Sequence, residues 1–368
     1  MAFPVYLIWL CGGKAYVERS YYLDPCEPGN GRTRPGVSDV NNSASDASGG
    51  DASGGIRVGE AEADWSGDAE YFEYSRAANP IGAGITSKVP IRTFSAALHS
   101  GTDTTIEVLD LSTELNTPWP ATSPALQAAF LLIQAGESLS TTSLATSQLF
   151  YVLSGSGKSA FEGQELHWAE GDVIVLPMSA SVVHSAEQRA VLYWVTDEPL
   201  MQYLGVAPTS SRFSPTRFPA ERICHELDLI ASDPRALDRN RLSVLLGTSP
   251  QTQTLTITHV LWAMFGLLPI GAVQKPHRHQ SVALDLIVQC EPGCYTLVGA
   301  TVNAEGEIEK PTRVDWESGG AFVTPPGLWH AHYNESGSAA YLLPVQDAGL
   351  HTYLRSLDIR FVSPASGS

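Results

Sequence analysis

The chain is poor in cysteine, poor in cations and without a long hydrophobic run, and each shortage removes a class of function. Its five cysteines, Cys11, Cys26, Cys224, Cys290 and Cys294, are odd in number and scattered, with no CxxC pair. That pattern fits neither a thiolate zinc site nor a disulfide framework, so a reducing, cytoplasmic setting is expected. Lys and Arg number 22 against 39 Asp and Glu, a formal charge of −17. No basic stripe is present to track a phosphate backbone, so neither nucleic acid nor an anionic membrane surface is an expected partner. The early run FPVYLIWLCGG is too short to span a bilayer and has no basic residue before it. It is expected to be a strand or packing arm rather than a signal peptide or anchor.

What is plentiful points to strands. Hydrophobic residues make up 43% and charged residues 17%, with 32 Gly and 24 Pro to mark turns, a balance that favours an all-β protein. A length of 368 residues suits two domains or one duplicated domain. Residues 1–84 read as an N-terminal arm whose Gly/Ser/Asp-rich stretch at 24–62 has too few large apolar groups to offset the entropy of ordering, and is expected to be mobile. Short apolar runs then alternate with Gly, Pro and Asn. Helical patterning is convincing only in about 218–245, within a connector at 211–248 between barrels at 85–210 and 249–368. The two flanking regions resemble each other in their order of glycines, strands and prolines, which suggests two copies of one unit.

The second copy carries the chemistry. In AVQKPHRHQSVALDLIVQC a strand with period two puts His277 and His279 on one face and Arg278 on the other, where an exterior ion pair is the expectation and a substrate clamp the alternative. Downstream, GGAFVTPPGLWHAHYN brings His330. Three imidazoles converging inside a small barrel make a neutral, nitrogen-rich site suited to Fe(II), with Mn, Ni, Cu or Zn also compatible.

Gly271, His277 and His279 meet the spacing G(X)5HXH, and Gly319, Pro325, Gly327, His330 and Asn334 meet G(X)5PXG(X)2H(X)3N. In these motifs the chain resembles the cupins, whose fold is a double-stranded β-helix or jelly-roll barrel, here duplicated around a short helical connector. HRHQSVALDLIV with TPPGLWHAHYNES further resembles the bicupin ring-cleaving dioxygenases of the gentisate and salicylate 1,2-dioxygenase group. That resemblance implies an Fe(II) centre held by His277, His279 and His330, with a small aromatic substrate and dioxygen as reactants. His332 would contact substrate or oxygen. The glutamate that many cupins use as a fourth ligand would fall at Ala283 or Leu284, leaving a three-histidine set. Family analogy also implies a homo-oligomer.

One departure bears on substrate. The group carries an arginine six residues after its second histidine, proposed to hold the substrate carboxylate, where this chain has Asp285. By strand parity Asp285 shares the histidines' face, so it is a candidate for catalysis and substrate choice. Its charge would repel an anionic substrate unless Lys275, Arg313 or another cation compensates. Trp262, Phe265, Trp316 and Trp329 are candidates to line an aromatic pocket, with core packing as the alternative; Trp262 and Trp329 are carried forward as substrate contacts. Gln346, Asp347 and His351 in the closing segment are further candidates to reach the site, against interface or core packing.

In the first copy, aligning Gly136 and Gly155 puts Thr142 and Leu144 at the histidine places and Gln148 at the glutamate place, while Gly171 and Pro177 put Val182 at the last histidine place. This barrel is expected to be degenerate and metal-free, with His184 standing where His332 stands. Two rival functions remain: an oxygen-independent metal-dependent isomerase or lyase, and a non-catalytic binding bicupin.

Overall fold

The computed structural model describes residues 5–11, 14–20, 65–178, 181–236 and 239–362. It comprises two compact units, 1–70 and 71–368. In the first, the early apolar run forms a strand, Val5–Cys11, paired antiparallel with Lys14–Ser20. The stretch at 24–62 lies outside the described residues.

The second unit is built from antiparallel sheets that pair off as two barrels. In the first barrel a six-stranded sheet runs in the order Thr216–Phe218, Val173–Pro177, Ser147–Ser154, Ala190–Thr196, Gln127–Ile133, Thr105–Val108. A four-stranded sheet, Ser138–Thr141, Val182–Ala186, Ser156–Phe161, Gln164–Ala169, closes over it. In the second barrel the order is Leu242–Leu246, Trp262–Leu268, Ala340–Gln346, Ala283–Gln289, Ala321–Thr324, Arg92–Phe94. Its facing sheet is Thr312–Asp315, Cys294–Gly299, Trp329–Asn334, Val273–Arg278, Arg360–Phe361.

Period-two alternation sorts side chains between two kinds of core. Leu284 and Leu286 join Ala263, Phe265, Leu343 and Val345 in an apolar layer between the barrels, against Phe130, Leu149, Tyr193 and Val195 of the first. Phe265, a candidate pocket residue, is thereby committed to packing, stacked on Tyr341. Residues one step out of phase, such as Ile287, Phe322 and Leu342, fill the second barrel's own interior.

Space and sequence divide the barrels differently. Arg92–Phe94, early in the chain, adds the last strand to the second barrel's sheet by pairing with Ala321–Val323. The helical pattern expected over 218–245 is realised only as Ala220–Ala231. Ser232, Asp233 and Pro234 follow, proline being unable to continue a helix, and Leu242–Leu246 becomes a strand beside Trp262–Leu268. This correction matters below, because it carries the residue before that strand, Arg241, into the second barrel.

Three motif residues set the frame of the site. Gly271 and Gly319 sit at φ of +70° and +77°, a conformation that strongly favours glycine. Asn334 acts as a staple: its amide donates to Leu268 O (2.9 Å) and Ser338 O (2.8 Å), and its Oδ1 accepts from Ser336 N (3.0 Å).

Candidate metal centre

The strand Val273–Arg278 lies antiparallel to Trp329–Asn334, with His277 directly opposite His330. Between Gln274 and His277 the register shifts by a bulge, which re-aims the following side chains. His279 comes just past the strand end, where its carbonyl accepts from Gly327 N at 2.7 Å. The three histidines are 2–3% exposed, and one nitrogen from each lies within 4.8 Å of the others. Among the described residues no other set of three His, Cys, Asp or Glu side chains converges this way.

The protonation pattern follows from the hydrogen bonds. His279 Nδ1 donates to Ser281 O (2.9 Å), His330 Nδ1 to Leu328 O (3.1 Å), and His277 Nδ1 makes a longer contact with Lys275 O (3.4 Å). A carbonyl can only accept, so the proton sits on Nδ1 and the Nε2 lone pairs are turned inward. Burial holds all three rings below the ordinary imidazole range, His279 to about 4. They are therefore neutral ligands at neutral pH. His279 Nε2 is buried with no hydrogen-bond partner, an orphaned lone pair that a metal ion satisfies. The donor set fits a divalent transition metal: three neutral imidazoles, each fixed through its other nitrogen. Ser281 Oγ lies 3.0 Å from His279 Nδ1 and donates to Gln346 Oε1 (2.8 Å). Asp347 Oδ1 accepts from Val282 N (2.9 Å), anchoring the same loop. So Gln346 and Asp347 support the site from behind, while His351 bonds to Ser356 near the surface.

His332 stands beside this group, its ring 5.8 Å from that of His330. Its Nδ1 donates to Thr296 Oγ1 (2.8 Å), which also accepts from Trp316 Nε1 (2.8 Å). Trp316 is thus both core and site support, its ring 5.6 Å from that of His332.

Asp285 is buried on the interior face, where Oδ2 accepts from Thr324 Oγ1 (2.7 Å). Burial pushes its carboxyl up to about 6, against the lowering effect of Thr324 and Arg241. Neither cation first considered beside it serves: Lys275 is exposed, and Arg313 lies outside over the Tyr295 ring, paired with Asp315. The cation whose field reaches Asp285 is Arg241. Its Nη2 donates to His277 Nε2 (2.6 Å) and His332 Nε2 (3.3 Å), and its Nη1 contacts Met264 Sδ (3.3 Å). Burial lowers its pKa to about 10, leaving it charged. Sequence reasoning missed Arg241 because it falls in a segment patterned as helix; no spacing motif marks it.

Of the proposed substrate contacts, Trp262 shares its strand face with Met264 and so turns toward the interior. Trp329 is a correction. It alternates with His330 and His332, faces the opposite side, and packs under the Arg278 guanidinium at 5.3 Å. A cavity of about 730 Å³ near Leu200, Arg212, His259 and Tyr353 contains none of these site residues.

In the first barrel the structural partner of His277 is Thr141, opposite Val182, not Thr142: the bulge that precedes His277 adds one residue to the spacing from the glycine. Gln148 is engaged by Trp194 Nε1 at 3.2 Å.

Two jelly-roll barrels in tandem, with a buried trio of neutral histidines in the second, make a double-barrel fold with a candidate metal centre. Comparison with solved structures supports this fold. The chain resembles a salicylate 1,2-dioxygenase from Pseudaminobacter salicylatoxidans, with 15% identity, a TM-score of 0.58, and coverage of 75% of this chain and 88% of that one. A salicylate 1,2-dioxygenase structure with gentisate gives a TM-score of 0.60 at 13% identity, covering 79% and 90%. Procruciferin, an 11S globulin of Brassica napus, gives 0.50 at 14% identity, covering 77% and 88%. In sequence, the chain is 34% identical over 86 residues to a 5-aminosalicylate 1,2-dioxygenase of Comamonas sp., a match spanning 23% of each protein. No family model matches.

Proposed function

We propose that the protein is an Fe(II)-dependent dioxygenase that cleaves a hydroxylated aromatic ring. The observation that carries this reading is the three-histidine cluster, whose inward lone pairs are neutral and free of any carboxylate ligand. Such a set leaves the ion's positive charge uncompensated, which favours an anionic oxygen donor from the substrate. The short match to 5-aminosalicylate 1,2-dioxygenase and the fold shared with salicylate 1,2-dioxygenase point the same way.

Iron there would supply the one-electron chemistry that lets dioxygen react with an electron-rich ring. His277, His279 and His330 would hold it. His332 would take a proton from a substrate hydroxyl at Nε2 once Arg241 no longer donates to that nitrogen. Asp285, pushed up to about 6 by burial, would accept a hydrogen bond from a hydroxyl or amino substituent. Arg241 brings positive charge into the barrel for an anionic ring substituent, despite the carboxylate at 285. Trp262 and Trp316 supply aromatic wall, and the buried setting excludes water.

The test is oxygen uptake by protein loaded anaerobically with Fe(II), against catechols, hydroquinones, aminophenols and salicylates, with His277→Ala as control. Uptake that needs both iron and one ring class supports the proposal. Turnover without oxygen would shift it to an isomerase or lyase that uses the ion as a Lewis acid. A non-catalytic bicupin is the second reading; protein that purifies without metal and fails to take it up would favour that one. A reducing location and a homo-oligomer belong to the same proposal. They are supported by the unpaired Cys224, Cys290 and Cys294 and by exposed Tyr203, Leu204, Tyr353 and Leu354, and are checked by fractionation and light scattering.

A further inference from the structure

Arg241 occupies an unusual position for a buried cation. Its Nη2 donates at 2.6 Å to Nε2 of His277, the nitrogen whose lone pair a metal ion would use. One lone pair serves one partner, so guanidinium and metal ion cannot both engage this ring. Electrostatics adds to the exclusion, since a divalent cation and a guanidinium repel strongly in a dry interior. Among the described residues its other hydrogen-bond partners are His332 Nε2 and Met264 Sδ, neither of which compensates a charge. Asp285 is the anion that attracts it inside the barrel, yet the carboxylate's hydrogen bond goes to Thr324 and not to Arg241.

We infer that Arg241 is a cation handed between two stations: it caps His277 until a metal ion displaces it, and then pairs with Asp285. This rests on the metal-site reading above and adds a device to it. The handover keeps Arg241 from lying uncompensated beside the metal, and explains why a carboxylate is tolerated at 285. It also places the guanidinium beside the 285 carboxylate once metal is bound, a net-neutral pair whose outward N–H groups are hydrogen-bond donors. Metal loading thereby turns N–H donors toward an acceptor substituent at that end of the pocket.

The test is metal affinity rather than turnover. Parent, Arg241→Met, Asp285→Asn and the double variant are titrated anaerobically with Fe(II), and with Mn(II) as a redox-stable probe, against a competing chelator. Circular dichroism confirms that each is folded. Arg241→Met is expected to bind metal about tenfold more tightly, because the competitor is gone, and Asp285→Asn about tenfold more weakly, because the displaced cation has no partner. The decisive result is coupling: in the Arg241→Met background Asp285→Asn should lose most of its effect. Equal effects of Asp285→Asn in both backgrounds would mean that the carboxylate acts on the metal alone, and would overturn the handover while leaving the site standing. Unchanged or weaker binding by Arg241→Met would do the same. A parent that binds neither ion overturns both this inference and the reading beneath it.

Discussion

The two barrels share a skeleton and differ in what fills it. In the first, Ser159 Oγ bridges His184 Nδ1 (2.8 Å) and Trp168 Nε1 (2.9 Å); in the second, Thr296 Oγ1 bridges His332 and Trp316 in the same way. Asp197 ties down the strand start at Thr146 and Ser147 as Asp347 ties down Val282. The far side of this shared imidazole is where they part. His184 Nε2 meets Thr141 at 3.1 Å, whereas His332 Nε2 faces Arg241 and the histidine cluster. By sheet register Phe150 occupies in the first barrel the place of Asp285 in the second, and it stacks on Trp194 at 5.9 Å. One interior is closed with aromatic rings; the other is kept polar. A histidine–hydroxyl–tryptophan relay is therefore part of the architecture, and chemistry depends on what is set beside it.

Breaking the second barrel's distinctive part should have the largest effect. His279→Ala removes the orphaned Nε2 donor, and metal binding should fall by more than the roughly 10–100-fold typical of losing a supporting hydrogen bond; equilibrium dialysis measures it. In the first barrel, Phe150→Ala should cost about 3–5 kcal/mol of stability by opening a cavity, read from denaturant midpoints, while metal affinity in the folded protein stays unchanged. Ser281→Ala removes the link between Gln346 and His279, and should weaken metal binding by roughly 10–100-fold with little change in stability. The smallest effect sharpens the comparison through pH. Burial holds His184 to about 4 against an ordinary 6.5. It contributes stability that is present above about pH 6.5 and is lost as pH falls toward 4. Asp197, pushed up to about 6 by burial, has the opposite sign, its cost being relieved on acidification. The Tm gap between parent and His184→Gln should therefore shrink as pH drops from 7 to 4, with Asp197 common to both; calorimetry across that range checks it.

Much of this was legible from residue order. Spaced glycines and prolines gave the duplicated barrel because a jelly roll needs its turns at fixed intervals. The HxH and WHxH elements revealed the cluster because strand parity converts spacing into a shared face. Parity also put Asp285 inside. It failed where a contact crosses elements: Arg241 comes from outside both motifs, and Arg92–Phe94 joins a barrel far along the chain. Trp329 was misplaced by composition, an aromatic beside a ligand histidine but one step out of phase. Counting from Gly136 lands on Thr142 rather than Thr141 because the bulge before His277 is invisible to counting.

The central claim is a single metal site, in the second barrel and built on three histidines. Its most direct measurement is the metal content of protein reconstituted anaerobically with Fe(II) and desalted, for parent, His279→Ala and His184→Ala. One ion per chain in the parent and in His184→Ala, and none in His279→Ala, is the predicted result. Iron retained by folded His279→Ala, or absent from the parent, would contradict it.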